Sequence, residues 1–294
     1  MWYTLVMSVK DYYYSHFSEL NPDKQFHFAT RMKNYFKVHD FDDYLKNNQP
    51  STNIAEIISN NDYSMVNNLA LRRPFFEKYQ GLFGIEAALF RVHHLLIEYN
   101  IDIRDDLLKL CPKEKLHKLT DDLLKDTEAF KTLSTWVVNT VYLTEELFPR
   151  GINVAQRLSE MALELDPSST DPTLLAYLYT HIILCESGFY TKELKKSENL
   201  ELMKELLHRC SLVVDEHIDT ISLDACVEFL VCCNMIGVDY PELRGKIAAI
   251  CDEFKKDSPY LINYRRDKTP GSYYHTLNGA EHINALYIMS GLDS

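Results

Sequence analysis

Glycine and proline are scarce, at 9 and 10 of 294 residues, both well below average usage. A turn-dense β-sandwich and a glycine-looped nucleotide-binding fold each need more of them, so the shortage points to helices. Basic residues are outnumbered: 31 Lys and Arg face 43 Asp and Glu, a net charge of −12. A nucleic-acid surface needs a basic stripe to displace phosphate counterions, and this balance argues against one. Paired-cysteine motifs are missing. The seven cysteines, Cys111, Cys185, Cys210, Cys226, Cys232, Cys233 and Cys251, are odd in number and include no Cys-x-x-Cys, as expected of reduced thiols packed in a core. Long apolar runs are absent too. The most apolar segment, Ala225 to Val238, is interrupted by Glu228 and Asn234 and falls short of the ~20 residues of a membrane helix. The apolar start, Met1 to Met7, has no basic segment before it and runs into Lys10-Asp11, unlike a secretory signal. These absences predict a soluble, cytoplasmic protein with neither a nucleic-acid nor a membrane partner.

What is present is ordinary globular material, 46% hydrophobic and 25% charged, enough for one large core. Residues 1–61, rich in Tyr and Asn, read as a helical N-terminal extension containing the connector Asn47-Asn48-Gln49-Pro50-Ser51-Thr52-Asn53. Residues 62–294 read as a domain of helical hairpins. Helix starts are legible there. Pro74 suits the first position of a helix over Phe75–Tyr99, and Asp171-Pro172 does the same for Thr173–Tyr190. Asn153 with Gln156 forms a capping box for Val154–Leu165, and Pro241-Glu242 opens a further helix.

Two kinds of helix alternate. Lys113–Lys125, Val154–Leu165, Leu200–Asp215 and Glu242–Lys256 have a charged face, whereas Leu82–Tyr99, Phe130–Leu147, Thr173–Tyr190, Leu223–Val238 and Tyr273–Leu292 are apolar nearly all round. An all-apolar helix is buried and a one-sided helix lies at the surface. The later inner helices start at spacings of 43, 50 and 50 residues, close to the period of stacked hairpins. The fold class predicted is all-α, with hairpins curled into an α/α toroid; an open α-solenoid is the alternative.

In such an arrangement the polar residues of the inner helices are the informative ones. Tyr177, His181 and Cys185 stack at intervals of four on one helical face. Glu228 is a lone carboxylate among Ala225, Cys226, Val227, Phe229, Leu230 and Val231, a costly burial unless paired, and one that raises a carboxyl toward the general-acid range. His275, Asn278 and His282 would share a face of the last helix, beside Tyr274. Trp136, Asn139, Tyr142, His93 and His94 complete the set. Each also has a plainer reading: buried histidines and tyrosines are usually satisfied packing residues, and a buried glutamate is often half of a structural pair. The basic turn from Arg265-Arg266 to Lys268 offers a place for an anionic ligand, or is simply a solvated loop. No His-Glu-x-x-His, calcium loop or nucleophile elbow occurs, and no metal or cofactor is readable.

Three segments stand out together: Tyr179-Thr180-His181-Ile182-Ile183-Leu184 with Ser187-Gly188-Phe189-Tyr190, then Glu228-Phe229-Leu230 with Cys232, then Tyr274-His275-Thr276 leading into Leu286–Gly291. As a set, covering roughly the C-terminal half, they resemble an uncharacterised bacterial family of all-helical, toroid-like proteins. The resemblance implies that architecture and marks His181, Glu228 and His275. Where that family has an aspartate after the Ser/Thr position, this chain has Gly188, so no metal or acid–base role is carried over there.

The function expected is a helical binding or accessory protein whose central cleft takes a peptide or small molecule, with Tyr177, Tyr274, Asn278, His282, Arg265 and Arg266 as contacts. One alternative is an enzyme carrying out acid–base or metal-assisted modification of a peptide or natural product, with His181 or His275 as general base or metal ligand and Glu228 as general acid. The other is a homodimeric adaptor using the Tyr-rich N-terminal region.

Overall fold

The computed structural model describes residues 7–59, 62–64, 66, 68–263, 265, 268–269 and 271–293. Their regular structure is entirely helical, with no strand among them. In chain order the first helices are α1 (Val9–Ser15), α2 (Pro22–Phe36) and α3 (Asp42–Asn47). Next come α4 (Ile54–Ser59), α5 (Leu69–Lys78), α6 (Leu82–Tyr99), α7 (Arg104–Leu110) and α8 (Lys113–Leu123). The middle of the chain forms α9 (Thr127–Leu133), α10 (Thr135–Leu147), α11 (Val154–Leu163) and α12 (Pro172–Glu186). The last helices are α13 (Leu200–Glu216), α14 (Leu223–Ile236), α15 (Pro241–Lys255) and α16 (Glu281–Met289). No helix among the described residues is long and apolar enough to cross a membrane.

The chain divides into two compact units, Met1–Asn48 with Ser187–Ser294, and Gln49–Glu186 between them. The division therefore falls at 48/49 and 186/187, not at the composition change near residue 61. The N-terminal helices belong to a core. The Asp293 carboxylate accepts the N–H groups of Val9 and Lys10 at 2.8 and 2.7 Å, the Tyr13 hydroxyl donates to the Leu277 carbonyl, and Phe28 and Met32 are fully buried.

Local chemistry sets most helix ends as expected. Asn153 accepts from the Gln156 N–H, the Asp171 carboxylate accepts from the Leu174 N–H ahead of Pro172, and Pro241 opens α15. Each satisfies or omits a donor that the helix itself cannot pair. Four boundaries differ. Pro74 lies inside α5, and Gly81, at φ +85°, separates that helix from α6. The predicted helix 130–147 breaks at Ser134, held at φ +47° while its hydroxyl donates to the Leu174 carbonyl. The helix from Thr173 stops at Glu186, before three successive left-handed residues. The last helix starts only at Glu281. A short 3₁₀ turn, Tyr273–His275, precedes it, and the backbone doubles back so closely that a Cβ on Gly279 would lie 1.9 Å from the Tyr273 carbonyl oxygen. His275, Asn278 and His282 consequently do not share a helical face.

Within the Gln49–Glu186 unit, α10 packs between α6 and α12 and also meets α8 and α11. Gly84 lets α4 approach α6, since a Cβ there would lie 2.5 Å from the Ile58 carbonyl oxygen. Within the other unit, α16 packs between α2 and α14, and α14 is backed by α13 and α15. Every residue of α14 from Leu223 to Cys233 is buried, as its all-apolar pattern requires.

Candidate functional site

Asn139, on α10, is buried and joins three helices through one amide. Its Nδ2 donates to Oε1 of Glu86 on α6 at 3.0 Å. Its Oδ1 lies 3.3 Å from Nδ1 of His181 and accepts the Cys185 thiol at 3.8 Å, both on α12. Because the amide nitrogen faces the carboxyl, the oxygen must be the acceptor. His181 therefore donates from Nδ1. The relay Glu86–Asn139–His181 thus orients the imidazole.

Glu86 has no cation in this relay. The protein around it pushes its carboxyl up to about 7, against a weaker opposing effect of the Asn139 hydrogen bond, so it changes charge in the range suited to acid–base work. Burial raises the Cys185 thiol well above its ordinary value, with Glu86 adding to the effect. Burial, with the nearby Glu146, does the same for the Tyr142 phenol. Both stay protonated. Aromatic rings flank the relay. The Tyr177 ring meets His181 edge-on at 6.3 Å, and Trp136 stacks under the Arg72 guanidinium at 4.8 Å while packing against Phe83 and Phe76. Asn139 and Cys185 are buried, but Glu86, Tyr177 and His181 retain access to solvent, so the relay is reachable from outside. Another surface cleft on this unit, near Lys78, Tyr79 and Asp126, is saturated: Asp126 accepts from Lys78 Nζ and the Tyr79 hydroxyl and caps α9 through the Ala129 N–H.

The expected stack of Tyr177, His181 and Cys185 forms, and it meets Asn139. The remaining sequence-picked residues belong to the other unit. Glu228 is 1% exposed and raises the pKa values of Tyr190, Cys232 and Cys210, after burial as the first cause. His282 accepts from Nη1 of Arg31 at 3.1 Å and stacks on His27 at 5.5 Å. His27 in turn sits 2.7 and 2.9 Å from the two oxygens of Glu281, a carboxylate with no solvent exposure. Asn278 Oδ1 accepts the Asn21 N–H. His275 accepts the Tyr260 hydroxyl at its carbonyl, and Tyr274 donates its N–H to Ser272. Arg265 donates to the Ile221 carbonyl at 3.0 Å and lies over Phe254, so it ties its turn to the core. Arg266 lies outside the described residues. His181 is thus in one unit, and Glu228 and His275 are in the other.

Glu86, His27, Arg31 and Glu281 were missed. Glu86 offered the same signal as Glu228, a lone carboxylate in an apolar helical stretch. Among the described residues no group of three or more His, Cys, Asp or Glu side chains is placed to hold a metal ion, and all seven cysteines are buried thiols outside any disulfide. The chain matches no family model, no curated protein and no solved structure.

Proposed function

We propose that the protein is a cytoplasmic helical binding or accessory protein that receives a peptide or small molecule on the face shared by α6, α10 and α12. The observation that carries this reading is the Asn139 amide, which couples a carboxyl that titrates near neutrality to an oriented imidazole. Oriented polar groups beside Trp136 and Tyr177 are the usual composition of a small-ligand site. The α/α toroid, or its open-solenoid alternative, is part of the proposal, as is kinship with the bacterial all-helical family. The side-by-side packing of α6, α10 and α12 in one unit and of α2, α16 and α14 in the other supports stacked hairpins.

An enzyme on this scaffold is the second reading, favoured by the Glu86 carboxyl near 7. Glu86 as general acid and His181 as base then replace the trio of His181, Glu228 and His275. An adaptor or homodimer built on the N-terminal tyrosines is less supported, because Tyr12, Tyr13 and Tyr14 pack onto Tyr260, Phe28 and Phe41 of their own chain.

Trp136 supplies the test. Titrating amino acids, dipeptides and aromatic amides into the protein should give saturable fluorescence quenching for at least one compound. His181→Ala and Asn139→Ala, checked for retained helicity, should abolish it. Quenching by none of them, or quenching indifferent to both substitutions, removes the reading. Consumption of the bound compound by the parent protein but not by Glu86→Gln decides for the enzyme.

A further inference from the structure

The unit containing the chain ends holds a second polar cluster, which the site above does not use. His27, Arg31 and Tyr35 follow one another at intervals of four on α2 and so share a face. His27 donates to the buried Glu281, which Lys24 also approaches at 3.8 Å, so this carboxylate is already matched. Arg31 is different. Its Nη1 donates to Nδ1 of His282 at 3.1 Å, and no carboxylate pairs with it among the described residues. One neutral acceptor leaves most of a five-donor fork to be satisfied from outside.

The Tyr35 ring leads to a second such donor. It meets the Tyr190 ring edge-on at 5.9 Å. Tyr190 is 8% exposed, and its hydroxyl is buried with no hydrogen-bond partner among the described residues. A buried hydroxyl of that kind costs stability and calls for an explanation. Tyr190 is also held firmly. It stands at φ +75° after Gly188 at +57° and Phe189 at +51°, its N–H donates to the Ser187 hydroxyl, and Lys37 Nζ donates to its carbonyl at 2.9 Å. Three left-handed residues in a row, two of them aromatic, are an expense that the neighbouring contacts must sustain. Arg31 and Glu228 both act electrostatically on this phenol, with opposite signs, while burial keeps it protonated and hence a donor.

We infer that Arg31 and Tyr190 form an anion site for a singly charged carboxylate, held by the guanidinium fork and the phenolic O–H, with Tyr35 as an aromatic wall. Arg prefers the planar, bidentate carboxylate. A phosphate dianion carries a second charge that this single guanidinium does not balance, so it is disfavoured. This site stands independently of the Asn139 relay.

The test is calorimetric titration of the full chain with benzoate, its neutral isostere benzamide, and inorganic phosphate. Benzoate should bind saturably at one site. Arg31→Gln should weaken it about tenfold or more, and Tyr190→Phe by a smaller factor; Arg31→Lys should fall between the parent protein and Arg31→Gln. Without ligand, Tyr190→Phe should melt at the same temperature as the parent protein or higher, because it removes an unsatisfied buried hydroxyl. His181→Ala should leave benzoate binding unchanged, which separates this site from the one proposed on α6, α10 and α12. Absence of benzoate binding, equal binding of benzamide or phosphate, indifference to both Arg31→Gln and Tyr190→Phe, loss of binding in His181→Ala, or a lower melting temperature for unliganded Tyr190→Phe would each overturn the inference.

Discussion

In the Gln49–Glu186 unit the carboxyl of Glu86 meets a neutral amide, whereas in the other unit Glu281, with no exposure at all, meets an imidazole and an ammonium. A third carboxylate shows what decides such cases. Glu145 is 7% exposed, yet it lies below the ordinary range because the backbone N–H groups of Arg150 and Ile152, then the Arg150 guanidinium, more than offset its burial. Glu86 has one amide donor to set against its burial, and it rises to about 7. Burial alone therefore does not locate a reactive carboxyl. The number and charge of its donors do. The same accounting for donors separates the units: the Asn139 relay uses its amide on both sides, while Arg31 and Tyr190 hold donors that the described residues of their unit do not match.

The largest expected effect comes from removing residues 1–48. Tyr13, Phe28 and Met32 are fully buried, and the loss of a large core side chain costs ~2–5 kcal/mol, so three together rival the whole stability of a domain. Residues 187–294 should then lose cooperative unfolding in circular dichroism melts. A cooperative melt of that segment would instead return the N-terminal helices to the status of an extension.

Glu86→Gln comes next. A carboxyl raised in the folded state costs nothing below its ordinary pKa, near ~4.3, and costs increasingly as pH rises to about 7, reaching ~3 kcal/mol and then staying level. Urea unfolding at pH 5 and pH 8 should show the parent protein losing stability relative to Glu86→Gln across that window. A difference that is flat with pH would place Glu86 alongside Glu145.

Asn139→Ala should destabilise by ~2 kcal/mol, since it strands a half-buried carboxyl and an imidazole. In a double-mutant cycle it should couple to His181→Ala by ~1 kcal/mol. Additivity in that cycle would dissolve the relay into separate packing residues. The smallest effect is Asp293→Ala, ~1 kcal/mol for the two N–H groups of α1 that it satisfies, read in the same urea experiment. No change would mean that the chain ends are held by apolar packing alone.

Much of the fold was legible in the residues. Asn153, Asp171, Pro172 and Pro241 mark helix starts, and α14 declares its burial by having no polar face, because capping and periodicity are settled within one or two turns of chain. The misread boundaries all involve backbone that neighbours impose. Ser134 takes a positive φ while its hydroxyl reaches Leu174, and Gly279 permits a close approach to Tyr273 that the five residues between them did not announce. The candidate site was half legible. Tyr177, His181 and Cys185 could be stacked from their spacing alone, and Asn139 could be picked as a polar residue on a buried helix.

Their partners could not. The sequence by itself determined an all-helical chain, its buried and its one-sided helices, and the polar residues its buried helices carry, since all of these follow from a 3.6-residue period and local capping. Tertiary structure alone decided that Glu86 meets Asn139 across 53 positions and that His27 meets Glu281 across 254. It likewise decided that Tyr190 keeps a donor that no neighbour among the described residues accepts. Those pairings depend on which helices pack side by side, and helix packing is fixed by the fit of whole surfaces rather than by any stretch of sequence.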